Sequence, residues 1–252
     1  MRPLRTVNPP YRDRHDAGKA LAEALSSHAD EPNLLVLALP RGGVAVGYEV
    51  ARALHAPLDI VVVRKLGLPG HEEYAMGAIA SGGVRVMNPL PGMTLAPEAV
   101  ASVLSREQAE LVRREQRYRG EHSAVSPRGR HVILVDDGLA TGATMRAAAM
   151  AVRQQHPARL TVAVPVGARD SCDELSDVVD EVVCPFMPEP FQAVGLWYQN
   201  MTQASDEEVC HLLKQAWGEH AEELRQAFKA KRAGAASASA GAAAPALPPQ
   251  GP

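Results

Sequence analysis

Apolar, β-branched runs alternate along this chain with stretches of helical periodicity. The runs "NLLVLALP" (33–40), "LDIVVVRKL" (58–66), "GAIASGGVRVM" (77–87), "HVILVDD" (131–137), "RLTVAVPVG" (159–167) and "EVVCPF" (181–186) are interleaved with "VAVGYEVARAL" (44–54), "EAVASVLSREQAELVRREQRYR" (98–119), "ATMRAAAMAVRQQ" (143–155) and "DELSDVV" (173–179). Strands apolar on both faces and separated by helices require a sheet covered on both sides. The expected fold class is α/β, with a mostly parallel central sheet flanked by helices. Ligands of such sheets bind beyond the carboxyl ends of the strands, so the residues that follow each strand are the ones to read for function.

With 252 residues, 46% of them hydrophobic, the chain can bury one core of good size, and one domain is expected. A net charge of -3 and a pI near 6.3 exert no general pull toward nucleic acid or an anionic membrane, so small-molecule partners are expected and nucleic acid is not. Cys172, Cys184 and Cys210 form neither a C-x-x-C pair nor a zinc-ligand spacing with histidine. They read as packing residues of a reduced, cytoplasmic protein. The N-terminus has no apolar signal region, and no stretch approaches the roughly 18 uninterrupted apolar residues of a membrane span. Residues 229–252 turn to Ala, Gly, Ser and Pro, too little apolar surface to offset the entropy of ordering, and are expected to be a disordered tail.

The stretch "VILVDDGLATGATM" ends a strand on Asp136 and Asp137 and follows it with Gly138, Ala140, Thr141, Gly142, Ala143 and Thr144 before a helix. Glycines let the backbone approach a ligand, successive N–H groups at a helix N-terminus favour an anion, and threonine hydroxyls donate to phosphate oxygens. Carboxylates would repel a phosphate but suit a diol or a divalent cation a few ångströms away. A ribose 5-phosphate satisfies both halves. Neither G-x-x-x-x-G-K-[ST] nor G-x-G-x-x-G is present to support a nucleoside triphosphate loop or a dinucleotide fold.

Two other strand ends carry cations. Arg41-Gly42-Gly43 follows the first apolar strand, where exposed amides and a guanidinium fork suit a highly charged anion, although a plain strand-to-helix turn would look the same. Arg64-Lys65 opens "RKLGLPGHEEYAMG" and is read as neutralising a diphosphate leaving group; the alternative is a solvated charge pair opening a hairpin.

The strand, acidic pair and T-G-x-T string from Val132 to Thr144 resembles the phosphoribosyl pyrophosphate (PRPP) signature of the type I phosphoribosyltransferases. The resemblance implies that Asp136 and Asp137 contact the ribose hydroxyls and that Ala140, Thr141, Gly142, Ala143 and Thr144 hold the 5-phosphate, with Gly138 in the same loop. The P-R-G-G string is similar to the family's pyrophosphate loop, which often carries a non-proline cis peptide. The "RK-x-G-x-P" string resembles the start of the mobile catalytic loop of the adenine phosphoribosyltransferases, with Leu68 in place of a second lysine. The activity implied is transfer of the phosphoribosyl group from PRPP to a nitrogen of a nucleobase or similar heterocycle, with release of pyrophosphate. Mg²⁺ is the implied cofactor, held at Asp136 and Asp137 mostly through water or PRPP, and Arg64, Lys65 and the aspartates are the implied catalytic residues.

In this family the acceptor sits under a hood of variable sequence, and residues 187–201 fall where one could lie. Phe191 and Trp197 are the candidates for stacking on an acceptor ring, with core packing as the default alternative. That segment is faintly similar to the F-x-V-G-Y-x-x-D-Y string of the hypoxanthine-guanine enzymes, with Gln199 where their aspartate stands. The expected domain is 11–228 with a helical insertion at 97–120, whose arginines read as a salt-bridged face or as an RNA or subunit contact. A homodimer is implied by the resemblance, and a non-catalytic PRPP sensor or RNA-binding regulator on the same fold is the alternative function.

Overall fold

The computed structural model of the chain describes residues 10–87 and 95–240. In chain order these form α1 (Arg14–Ala24), β1 (Leu34–Ala38), α2 (Gly42–Ala53), β2 (Leu58–Ile60), β3 (Val63–Leu68), β4 (His71–Ala80), β5 (Val84–Met87), α3 (Pro97–Arg119), β6 (His131–Val135), α4 (Ala143–Arg153), β7 (Arg159–Ala163), α5 (Arg169–Leu175), β8 (Glu181–Val183) and α6 (Asp206–Ala240). Single 3-10 turns occupy Ser26–His28 and Val194–Trp197.

Five strands in the order β2-β1-β6-β7-β8, all parallel, make the central sheet. Every residue of β1 and of β6 is buried, as both-face coverage requires. The period of two divides these side chains between two cores. Leu34, Val36, Ala38, Ile133 and Val135 pack with residues of α1, α2 and α6, whereas Leu35, Leu37, Val132 and Leu134 pack with Met145, Ala148 and Val152 of α4 and Leu175 of α5.

The run 58–66 is not one strand. The backbone follows β1 as far as Val61, whose N–H donates to Ala38 O at 3.0 Å. At Val62 it changes partner: its N–H donates to Ser81 Oγ at 2.8 Å and its carbonyl accepts from Ser81 N at 2.9 Å. The chain thereby enters a separate antiparallel sheet, β3-β4-β5. The segment expected to be a loop after Arg64-Lys65 is the β3–β4 hairpin, turned at Pro69-Gly70, with Gly70 at φ +81°. Within it Leu66, Leu68 and Met76 are buried, while Tyr74, nearer the turn, is exposed.

The helix α3 matches the expected span and starts with Pro97 at a position suited to proline. The arginines of α3 form the salt-bridged face: Arg113 and Arg114 both reach Glu110, Arg117 reaches Asp206 and Glu207 of α6, and Arg119 reaches the fully buried Asp59 of β2. At its C-terminal end α6 takes in residues 229–240 of the stretch expected to be tail. Alanine has the highest helix propensity, so a composition too poor for a core can still continue a helix. The remaining expected tail residues, 241–252, lie outside the described residues. Among the described residues no helix is long and apolar enough to cross a membrane.

Candidate active site

The adjacent strands β1 and β6 deliver their following residues to one place. Leu39 N donates to Val135 O at 2.9 Å, and Gly43 N donates back to Leu39 O at 3.1 Å, so the P-R-G-G turn folds against the acidic pair. The Pro40–Arg41 peptide bond is cis. A β-carbon on Gly42 would overlap the Asp137 carboxylate, and one on Gly43 would lie 2.8 Å from Val135 O and 3.0 Å from Asp136 Oδ1. Only glycine permits this approach of backbone to carboxylates.

Asp137 is anchored on three sides. Arg14 of α1 donates from Nε to Asp137 Oδ2 at 2.7 Å, and its Nη1 donates to Thr202 O at 2.6 Å. Tyr198 donates its hydroxyl to the Asp137 carbonyl at 2.5 Å, and Asp137 N donates to Asp136 Oδ1 at 2.8 Å. Burial, then the neighbouring Asp137 carboxylate, pushes the Asp136 carboxyl well above the usual carboxylate range, against the opposing charge of Arg14. Burial and the Asp137 charge likewise push the Tyr198 phenol up, so that it stays a donor. The site holds more negative charge than it can comfortably ionise, which favours a cation or a hydrogen-bonding diol.

Past Gly138, which packs against Val194, Leu139 is buried and ties the loop to β7's continuation through Leu139 N to Val166 O at 2.9 Å. Ser171 donates its hydroxyl to Ala140 O at 2.5 Å. Gly142 adopts the left-handed conformation, φ +70°, and caps α4 with no side chain to satisfy the first amides. Ala140, Thr141, Ala143 and Thr144 are exposed. The N-terminus of an eleven-residue helix therefore presents unsatisfied N–H groups and two hydroxyls to solvent, which suits an anion. A pocket of about 210 Å³ lies alongside, lined by Ala143 and Thr144 on one side and Lys65 on the other.

Of the other candidates, Arg41 is half-buried; its carbonyl accepts from Val44 N at 3.2 Å, and its guanidinium makes no hydrogen bond or ion pair among the described residues. Arg64 is occupied: Nε and Nη2 both donate to Glu107 Oε2 of α3, at 2.9 and 2.6 Å. Burial acts against the Glu107 charge, but Arg64 and Arg106 hold its carboxyl below the usual range. Trp197 is buried, its ring edge-on to Phe186 at 5.2 Å, in a cluster with Tyr11, Val166 and Tyr198 against which Phe191 is also packed. The Trp197 ring is thus packed within that cluster, 7% exposed. Sequence reading missed Arg14 and Tyr198. Tyr198 stood beside Trp197 in the candidate hood and was overlooked there; Arg14 lies outside every motif.

A parallel sheet carrying an acidic pair, a glycine turn and an open helix N-terminus at the ends of β1 and β6 has the type I phosphoribosyltransferase fold. The profile of the phosphoribosyl transferase domain matches residues 11–196, and the chain belongs to that family. Two Mycobacterium tuberculosis proteins, from strains H37Rv and CDC 1551 and each provisionally named a phosphoribosyl transferase, are 44% identical over 214 residues, 84% of this chain. The chain spans about half of their length, 48%. The crystal structure of TT1426 from Thermus thermophilus is 42% identical, with a TM-score of 0.73, and the match covers 81% of this chain and 97% of that one.

Proposed function

We propose that the chain transfers the 5-phosphoribosyl group from PRPP to a nitrogen of a nucleobase or similar heterocycle and releases pyrophosphate. The observation that carries this reading is the contact of Gly42 and Gly43 with Asp137 and Asp136, because it brings an anion-binding turn and a diol-binding pair within one ligand's reach. Under this reading the exposed amides and hydroxyls from Ala140 to Thr144 take the 5-phosphate. Asp136 and Asp137 take the ribose hydroxyls, with Arg14 and Tyr198 fixing Asp137. The turn amides and Arg41 take the pyrophosphate, and Lys65 faces the phosphate loop across the pocket. Positioning and charge stabilisation do the work at a sugar centre with oxocarbenium character, and no nucleophilic side chain is needed.

The acidic pair fits Mg²⁺, since its donors are carboxylate oxygens and the elevated Asp136 carboxyl is relieved by a nearby cation. When bound, Mg²⁺ would neutralise charge on the departing pyrophosphate. A cytoplasmic homodimer completes the proposal, and light scattering on the purified chain tests the dimer.

One observation favours a PRPP sensor as the second reading: Arg64, which could serve the leaving group, is held by Glu107. RNA binding has less support, because Arg113, Arg114, Arg117 and Arg119 of α3 are all engaged with carboxylates. Pyrophosphate release from PRPP with Mg²⁺, screened over purines, pyrimidines and small nitrogen heterocycles beside Asp137→Asn, tests the proposal. Release that depends on one acceptor and vanishes in the variant supports transfer; PRPP binding without release supports the sensor; neither binding nor release rejects both.

A further inference from the structure

At the opposite end of the central sheet, where the strands begin, two buried histidines share one carboxylate. His131 opens β6, His28 closes the 3-10 turn after α1, and Glu31 follows that turn. Nδ1 of His28 and Nδ1 of His131 both face Oε2 of Glu31, at 3.1 and 2.8 Å. The far nitrogens are tied to a second carboxylate. Nε2 of His28 lies 3.3 Å from Oε2 of Glu181, the first residue of β8. Nε2 of His131 lies 2.9 Å from Oγ1 of Thr161, whose hydroxyl donates to that same Glu181 oxygen at 3.2 Å. Arg159 also reaches this oxygen, at 3.0 Å.

Counting hydrogens shows what this arrangement accommodates. A carboxylate oxygen only accepts, so any hydrogen shared across the 3.3 Å between Nε2 of His28 and Glu181 Oε2 would come from the imidazole. With the Thr161 hydroxyl donating to Glu181, Nε2 of His131 would carry one as well. With both Nε2 atoms protonated, donation from both Nδ1 atoms to Glu31 would make both rings cations, with centroids 5.1 Å apart and side chains only 9% and 4% exposed. Two like charges that close and that buried are strongly disfavoured. A divalent cation at the meeting point of the two Nδ1 atoms and Oε2 removes the conflict. Each neutral ring gives its Nδ1 lone pair to the metal and its Nε2 hydrogen to Glu181 or Thr161, the outer arrangement that orients histidine ligands in metal sites.

We infer that His28, Glu31 and His131 form a Zn²⁺ site, with Glu181 and Thr161 positioning the two imidazoles. The three ligand atoms lie within 4.8 Å of one another. Zinc bonds of about 2.0–2.1 Å in tetrahedral geometry place ligand atoms about 3.3 Å apart, so the two Nδ1–Oε2 distances of 3.1 and 2.8 Å need open only slightly. Two imidazole nitrogens and one carboxylate suit Zn²⁺, whereas Mg²⁺ prefers the all-oxygen pair at the other end of β6, roughly 17 Å away at the rise of five strand residues. The site would fasten the connection between α1 and β1 to the start of β6, independently of PRPP chemistry.

The experiment uses the full chain, stripped of metal and titrated with Zn²⁺ by calorimetry, with metal content after dialysis measured by mass spectrometry. About one equivalent should bind, the thermal midpoint should rise, and Co²⁺ substitution should give visible absorption bands. Glu31→Gln and His131→Gln should weaken uptake more than about tenfold, Thr161→Val by about 10–100-fold, and Asp136→Asn should leave it unchanged. A stripped wild-type chain that takes up no Zn²⁺ overturns the inference even if every variant misfolds, and so does unchanged uptake in a folded Glu31→Gln protein.

Discussion

Gly42 lies against the side chain of Asp137 so closely that a β-carbon at position 42 would sit 2.6 Å from the aspartate's Cγ and 3.0 Å from Arg14 Nε. Three elements distant in sequence, the α1 start, the β1–α2 turn and the end of β6, therefore share one point. The consequence is that the smallest possible substitution at Gly42 must displace the carboxylate or its arginine.

Gly42→Ala is accordingly expected to reduce stability by about 1–3 kcal/mol through overpacking. It should also weaken PRPP affinity at least about tenfold, which corresponds to 1.4 kcal/mol. Chemical denaturation and calorimetric titration with PRPP measure the two effects. An unchanged affinity would remove the turn from the ligand site.

Much of this arrangement is legible in sequence for a local reason. Asp136, Asp137 and the Thr141–Thr144 loop are contiguous, so their chemistry and their place after an apolar run are both visible. Arg14 is not, because its bond to Asp137 spans 123 positions and nothing near Arg14 marks it. The hairpin of β3 and β4 was obscured by the apolar continuity of residues 58–66; the exchange of partners at Val62 depends on Ser81, far along the chain. Trp197 illustrates a third limit, since an aromatic in a loop-like segment gives no sign of whether it is open or, as here, buried beside Phe186.

Arg14→Gln tests the anchoring of Asp137. The two side chains are 14% and 17% exposed, so removing the guanidinium leaves a largely buried carboxylate without its cation. The expected loss is on the order of 2 kcal/mol of stability. If Arg14 acts by orienting Asp137, Arg14→Gln and Asp137→Asn should be strongly non-additive in a double-mutant cycle read by PRPP binding. Simple additivity would mean that Arg14 acts elsewhere.

Asp136→Asn should stabilise the fold at neutral pH while impairing PRPP binding. The folded-state pKa of Asp136 is raised well above the ordinary 3.8 by burial and by Asp137. Its contribution is therefore fully present below the unfolded pKa and is lost as pH rises through the folded pKa. An amide keeps the carbonyl that accepts from Asp137 N and cannot ionise, so the variant escapes that loss. Thermal midpoints measured from pH 4 to pH 8 should show the variant gaining on the wild type as pH rises, by on the order of 2–4 °C for each kcal/mol. A gap that does not grow with pH would show that Asp136 is not penalised for ionising.

Arg64 and Lys65 are neighbours in sequence, yet as successive residues of a strand they point to opposite faces, and their substitutions should separate. Arg64 joins β3 to α3 through Glu107, whose side chain is 9% exposed. Arg64→Ala should consequently cost on the order of 2 kcal/mol of stability, and wild-type stability should include a Glu107 contribution that is lost as pH falls through its depressed pKa. Lys65 is exposed and lines the pocket opposite Thr144, so Lys65→Ala should leave the thermal midpoint nearly unchanged while lowering kcat for pyrophosphate release by about 10–100-fold. The reverse pattern, with turnover lost in Arg64→Ala at unchanged stability, would require Arg64 to leave Glu107 and move to the departing pyrophosphate during the reaction.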